Sequence, residues 1–204
     1  MKCDITLITK ACLMIDIISL YKVKQWREIV ERYHDHPERN KLLWVYPSED
    51  NLNFIKTCVE CLNCDNILSI GCGSGLLEWI IIEATGIPVS GLEVDGAWWR
   101  CKYAPPSFLP LIFTSTKLEE DLITLLQRSD NTALMFCYFN NRDAFNEYLK
   151  YYSGNVLILI GPGDGKGVHT DPKPFGDVDP QWKLYKSQEV RNSKDYIAVY
   201  CKTN

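Results

Sequence analysis

No stretch of this chain stays apolar long enough to cross a bilayer. The run Ala11 to Leu20 is too short, and Asp16 interrupts it. Nor does the start read as a secretory leader, because Asp4 stands where a basic n-region belongs. An excess of positive charge is also missing: 22 Lys and Arg face 26 Asp and Glu, for a net charge of -4. A mildly acidic surface has no bulk attraction for phosphate backbones, which argues against nucleic acid as the main partner. Cysteine is plentiful but lacks framework spacing, with nine thiols, an odd number, scattered from Cys3 to Cys201. A chain of 204 residues, 46% of them hydrophobic, buries a core without disulfides. Reduced thiols and a cytoplasmic or nuclear location are therefore expected. With no internal repeat and no low-complexity segment, one globular domain is expected, with no membrane partner.

A single amphipathic helix is expected over residues 11 to 33, where Leu13, Ile17, Leu20, Lys24 and Ile29 fall near helical spacing. It belongs to an N-terminal extension, residues 1–41, that offers a helix to a protein partner; the main domain is 42–204. A loop with Trp44 and Tyr46 leads to a second helix capped by Ser48, with Glu49 and Asp50 in its first turn. From Asn66 the pattern alternates strand and helix. Strands are expected at 66–70, 89–94, 111–114, 133–139 and 156–160, with crossover helices between them. Two further strands, 182–190 and 196–202, are joined by a short polar linker and should pair antiparallel. The fold class is therefore α/β, a doubly wound, mostly parallel seven-stranded sheet with a C-terminal antiparallel hairpin.

In such a sheet the ligand sits beyond the carboxyl ends of the strands, at the switch point beside the first one. The segment Ile70-Gly71-Cys72-Gly73-Ser74-Gly75 occupies that place. Glycines there let the backbone approach a ligand closely, and the following helix presents free N–H groups and a positive dipole end. About twenty residues on, at the end of the second strand, Glu93 can accept both ribose hydroxyls of an adenosine.

With Val89-Ser90-Gly91-Leu92-Glu93-Val94-Asp95, this turn resembles motifs I and II of class I S-adenosylmethionine-dependent methyltransferases. The resemblance covers residues 42 to 202 and implies S-adenosyl-L-methionine as cofactor and methyl transfer to an unidentified acceptor, a small molecule or protein rather than nucleic acid. It implies cofactor contacts from Ser69, Gly71, Cys72, Gly73, Gly75 and Glu93, and from Trp98 if the Trp98-Trp99-Arg100 stretch stacks on adenine instead of packing under the sheet edge. Tyr138 and Asn140 would face the acceptor.

Three positions depart from the family pattern. Ser69 replaces the acid two places before the first glycine, Thr114-Ser115-Thr116 stands where an adenine-reading acid is common, and Cys137-Tyr138-Phe139-Asn140-Asn141 lacks the Asn/Asp-Pro-Pro-aromatic tetrad of amino-methylating members. These losses favour an alternative in which the fold persists as a non-catalytic interaction module or an S-adenosylmethionine sensor. A nicotinamide-dependent oxidoreductase is disfavoured by the glycine spacing and the terminal hairpin.

Gly161 to Pro180 reads as a long loop at the carboxyl edge, a lid or acceptor loop in which His169 is a candidate base or substrate contact. Cys58, Cys61 and Cys64 have metal-like spacing, yet they fall on a helix with no fourth ligand nearby. Packing, not metal, is expected of them.

Overall fold

The computed structural model describes residues 5–203, with side chains from residue 13 onward; Cys3 and Asp4 lie outside the described residues. One sheet organises the chain. Strands β1 (Asn66–Ile70), β2 (Val89–Val94), β3 (Leu111–Thr114), β4 (Thr132–Cys137) and β5 (Val156–Pro162) are parallel. Strands β6 (Trp182–Val190) and β7 (Asp195–Lys202) form the antiparallel hairpin, joined to the sheet through β5 and β7. The order is β3-β2-β1-β4-β5-β7-β6, so the seven expected strands pair as the sequence implies. The central strands β1 and β4 are buried along almost their whole length, as parallel strands covered on both faces must be. The edge strand β6 is buried only at its two ends and carries the exposed Lys183 and Lys186, which discourage pairing with another chain.

Helices α1 (Ile5–Lys22), α2 (Trp26–Arg32), α3 (Glu49–Cys61) and α4 (Leu76–Thr85) cover one face. Ile17, Ile29, Ile55 and Ile80 pack there with Ile67, Met135 and Ile158 of the sheet. Helices α6 (Glu120–Gln127) and α7 (Arg142–Tyr151) cover the other, through Leu122, Leu126 and Phe145 against Leu68, Leu134 and Phe136. A short helix, α5 (Gly96–Trp99), follows β2. Among the described residues no helix is long and apolar enough to cross a membrane.

The single helix expected over 11 to 33 is two helices. Lys24 adopts a left-handed φ of 56°, and the Gln25 and Lys24 amides donate back to the carbonyls of Leu20 and Tyr21. That bond pair ends a helix. It turns the chain so that Trp26, Ile29 and Val30 are buried instead of running on into solvent. Helical spacing alone does not reveal the break, because Lys24 is not the glycine that usually marks one. The Ser48 cap is present as expected, its hydroxyl accepting from the Asn51 amide while the Asn51 side chain accepts from the Ser48 amide.

Arg191, at the hairpin turn, donates to the carbonyls of Tyr46 and Val30 and pairs with Glu31 at 2.7 Å. This clamp fixes the segment between α2 and α3 against the sheet. Residues 40–44 of that segment form one wall of the cleft described next.

Candidate functional site

Strand register brings the site together. Ile70 lies opposite Leu92 on one side and Phe136 on the other, so Gly71, Glu93 and Cys137 leave three adjacent strands at one edge. Gly71, Gly73 and Gly75 all have positive φ, a conformation that side chains other than glycine rarely adopt. A Cβ at Gly73 would meet nothing within 4 Å, so this is where the turn opens toward the cleft. One at Gly75 would fall 2.2 Å from Leu109, so that glycine serves close packing and α4 begins directly after it.

Glu93 closes the turn. Its Oε1 accepts from the Gly73 amide at 2.6 Å and its Oε2 from the Val94 amide at 3.1 Å. Burial raises its pKa, opposed by those two amides and by the Trp99 side chain. Asp95, two residues on, has already turned to a φ of 56° and caps α5 by accepting from the Trp98 amide. Trp98 is 46% exposed and outside the cleft lining, whereas Trp99 lines it. The tryptophan brought to Glu93 is thus Trp99, since one residue along a helix turns a side chain by about 100°.

Two cavities share Gly71 and Glu93. The first, about 310 Å³, lies between the glycine turn, Trp99, Cys137, Tyr138 and the wall from Asn40 to Trp44. The second, about 280 Å³, is bounded by Val94, Thr116, Leu118, Phe139, Asn140 and Tyr148. Among the described residues Lys41 is the only cation lining either, and it pairs with Glu38. Carboxylates outnumber it, with Glu78 and Glu93 in the first cavity and Glu93 and Glu147 in the second. In their ionised forms these carboxylates repel a pyrophosphate and accept a cation.

Ser69 does not reach the cleft. Alternation along β1 turns it toward α4, where it is fully buried and its hydroxyl donates to Glu78 Oε1 at 2.7 Å. Glu78 is 1% exposed, and its Oε2 has no hydrogen-bond partner. Burial pushes its carboxyl up to about 7, with Ser69 and the residue's own backbone amide opposing and Glu93 adding to the rise. Glu78 is not among the residues that the glycine motif implies, although a lone acid in Leu76-Leu77-Glu78-Trp79-Ile80-Ile81, three residues after Gly75, is a visible signal. Cys72 lines the cleft, but a Cβ at Gly91 would fall 2.7 Å from its sulfur, so its side chain packs over β2. Burial raises that thiol, and Cys137 with it.

Tyr138 lines the first cavity with a φ of 51°, stacked on Trp44 at 5.3 Å. Its hydroxyl donates to Asp195 Oδ1 at 2.6 Å, and burial together with that carboxylate raises its pKa. Asp195 is 2% exposed and also binds Lys166 Nζ at 2.8 Å. Asn140 lies in the second cavity, apart from Tyr138. His169 is exposed, and no residue of 163–180 lines either cavity. The loop instead packs behind the wall of the second cavity: Asp171 pairs with Asn140 and donates its amide to the Phe139 carbonyl, Arg142 Nε donates to Asp171 at 2.7 Å, and the Tyr200 hydroxyl donates to the Pro174 carbonyl at 2.7 Å.

Cys58 and Cys64 are buried, Cys61 is exposed, and among the described residues no group of His, Cys, Asp or Glu side chains is arranged to hold a metal. Elemental analysis of the purified protein should find no stoichiometric zinc or iron; one equivalent of either would show that these cysteines ligate.

No protein-family model and no curated protein sequence matches the chain. Solved structures do. A Staphylococcus aureus protein assigned as a caffeoyl-CoA O-methyltransferase superposes with a TM-score of 0.51 at 14% identity, over 93% of this chain and 99% of that one. A SAM-dependent methyltransferase of Anabaena variabilis gives 0.52 at 12% identity, over 89% and 95%. A substituted form of MtNAS gives 0.56 at 14%, over 91% and 71%. The architecture is that of the class I S-adenosylmethionine-dependent methyltransferases.

Proposed function

We propose that the protein binds S-adenosylmethionine across the two cavities and transfers its methyl group to an acceptor that enters beside Trp44 and Tyr138. The observation that carries this reading is the Glu93 carboxylate at the end of β2, held 2.6 Å from the Gly73 amide at the junction of the cavities. A carboxylate there accepts the two ribose hydroxyls, which are the polar centre of an adenosine. The second cavity, with Val94, Leu118 and Phe139, suits adenine, and Thr116 and Asn140 supply polar edges to it. The first cavity then receives the methionyl part. Its carboxylates favour this cationic ligand over a dinucleotide.

The residues present fit the cofactor: Gly73 leaves open space for it, and Glu78, whose Oε2 is buried without a hydrogen-bond partner, is among the residues lining the first cavity. When bound, S-adenosylmethionine supplies a methyl group on a sulfonium that is already a leaving group. The chain's work is alignment and exclusion of water. Gly71 and Gly73 admit the ligand, Trp99 and Glu93 fix its ribose, and Trp44 with Tyr138 walls the acceptor side. Tyr138 acts as a wall rather than a base, since its proton is committed to Asp195. A small-molecule or protein acceptor fits the acidic cleft better than nucleic acid does, and the free thiols suit the cytoplasm or nucleus.

Calorimetric titration tests the reading. S-adenosylmethionine and S-adenosylhomocysteine should both bind and NAD should not. Absence of heat with both sulfur nucleosides would end it.

A further inference from the structure

We propose that Glu78 is the acid that holds the α-ammonium of the ligand, taking over from the strand position that Ser69 fills. The inference rests on the S-adenosylmethionine reading above and assigns a residue that neither the motif nor the glycine turn points to.

Glu78 combines two properties that rarely coexist. It is almost wholly buried, yet it lines the first cavity beside Gly71, Gly73 and Cys137. One carboxylate oxygen is held by Ser69, and the other has no partner. A buried carboxylate oxygen without a donor is costly, and where it belongs to a residue that lines a cavity a water, an ion or a ligand can complete it. An ammonium is the fitting complement: it supplies three donors and cancels the charge. The other carboxylate of this cavity, Glu93, accepts one backbone amide on each oxygen and spends its remaining acceptor capacity on the ribose in the reading above. Lys41 lies on the opposite wall and pairs with Glu38.

Ser69 explains why the charge sits on the helix. A hydroxyl two places before Gly71 cannot neutralise a cation, but it can orient a carboxylate that does. Alternation along β1 aims it at α4, whose third residue is Glu78. Strand and helix thus divide the roles, with Glu78 carrying the charge and Ser69 fixing its direction. Burial keeps the carboxyl near neutrality in the free protein, and an arriving ammonium would favour its ionised form.

The test compares S-adenosylhomocysteine with its desamino analogue, by calorimetry, on wild type and on Glu78→Gln. Wild type should bind the amine-bearing ligand about tenfold or more tightly than the analogue, and Glu78→Gln should bind the two nearly alike. If the variant keeps the wild-type preference, or wild type shows none, Glu78 does not hold the ammonium, while tight binding of both ligands would leave the cofactor reading intact. If wild type binds neither, the cofactor reading itself has failed and the inference falls with it. The wild-type comparison needs no variant, and a thermal melt of Glu78→Gln establishes that it is folded.

Discussion

Glu93→Ala should weaken S-adenosylhomocysteine binding about ten- to a hundredfold, because hydrogen bonds to a charged group contribute about 1.5–3 kcal/mol. The carboxylate stands at the junction of both cavities, so its loss is felt wherever in the cleft the nucleoside sits. It also holds the Gly73 amide, and the alanine variant frees a turn whose three glycines have no side chains to restrain it. Glu93→Gln should lose less, since an amide oxygen still accepts one hydroxyl or the Gly73 amide. Asp95→Ala is the control. In an ideal strand Asp95 would share a face with Glu93, but the chain has turned and Asp95 caps α5 instead. Its removal should leave affinity nearly unchanged. Titration calorimetry on the three variants decides the matter. Normal binding by Glu93→Ala would mean that the ribose is held elsewhere, and a loss confined to Asp95→Ala would mean that the register of the second motif is wrong.

The parts of this site that can be read in the sequence are those set by backbone geometry. Gly71, Gly73 and Gly75 announce positive φ, and the strand before them and the helix after them follow from periodicity. Glu93 follows from the length of one strand-helix-strand unit. The sheet itself is legible because its central strands are short continuous apolar runs that only a two-face burial explains. What cannot be read depends on which way a side chain points across sequence distance. Trp98 and Trp99 are equivalent in composition, and only the phase of α5 decides that Trp99 lines the cleft. Asp195 reads as a linker residue until the hairpin brings it to Tyr138, 57 positions earlier in the chain. His169 is attractive in the sequence because it sits in a polar loop beyond a parallel strand. Its loop is fixed at Asp171 and Pro174 by Asn140, Arg142 and Tyr200, contacts that no local pattern records, and His169 is left exposed. The break at Lys24 is hidden for a related reason, for a lysine in the left-handed region leaves no compositional mark.

Glu78 should give the protein a pH-dependent stability with an unusual sign. Its carboxyl is raised to about 7 in the folded chain, against an ordinary 4.5 once unfolded. Between those values the native state keeps a proton that the unfolded chain has lost. Stability therefore falls as pH rises from about 4.5 through 7 and levels off above, the reverse of a salt-bridged carboxylate. A rise of this size corresponds to up to about 3 kcal/mol, or roughly 6–12 °C of melting temperature for a domain this long. Glu78→Gln cannot titrate, so its melting temperature relative to wild type should climb across that window and stay level beyond it. The groups facing Glu78 do not imitate the effect. Ser69 does not ionise, and Cys72 and Cys137 have thiols raised by burial and stay protonated throughout. Glu93 also has a raised pKa, but it is present in both proteins and cancels in the difference, apart from its coupling to Glu78. Melting curves of the two proteins at half-unit pH steps provide the measurement, and a difference that stays flat from pH 4.5 to 8 would show that Glu78 titrates as an ordinary surface acid. Repeating the series with saturating S-adenosylhomocysteine separates stability from recognition. An ammonium is held only by the ionised carboxylate, so the ligand should raise the melting temperature of wild type more at pH 8 than at pH 5.5. In Glu78→Gln that gain with pH should disappear.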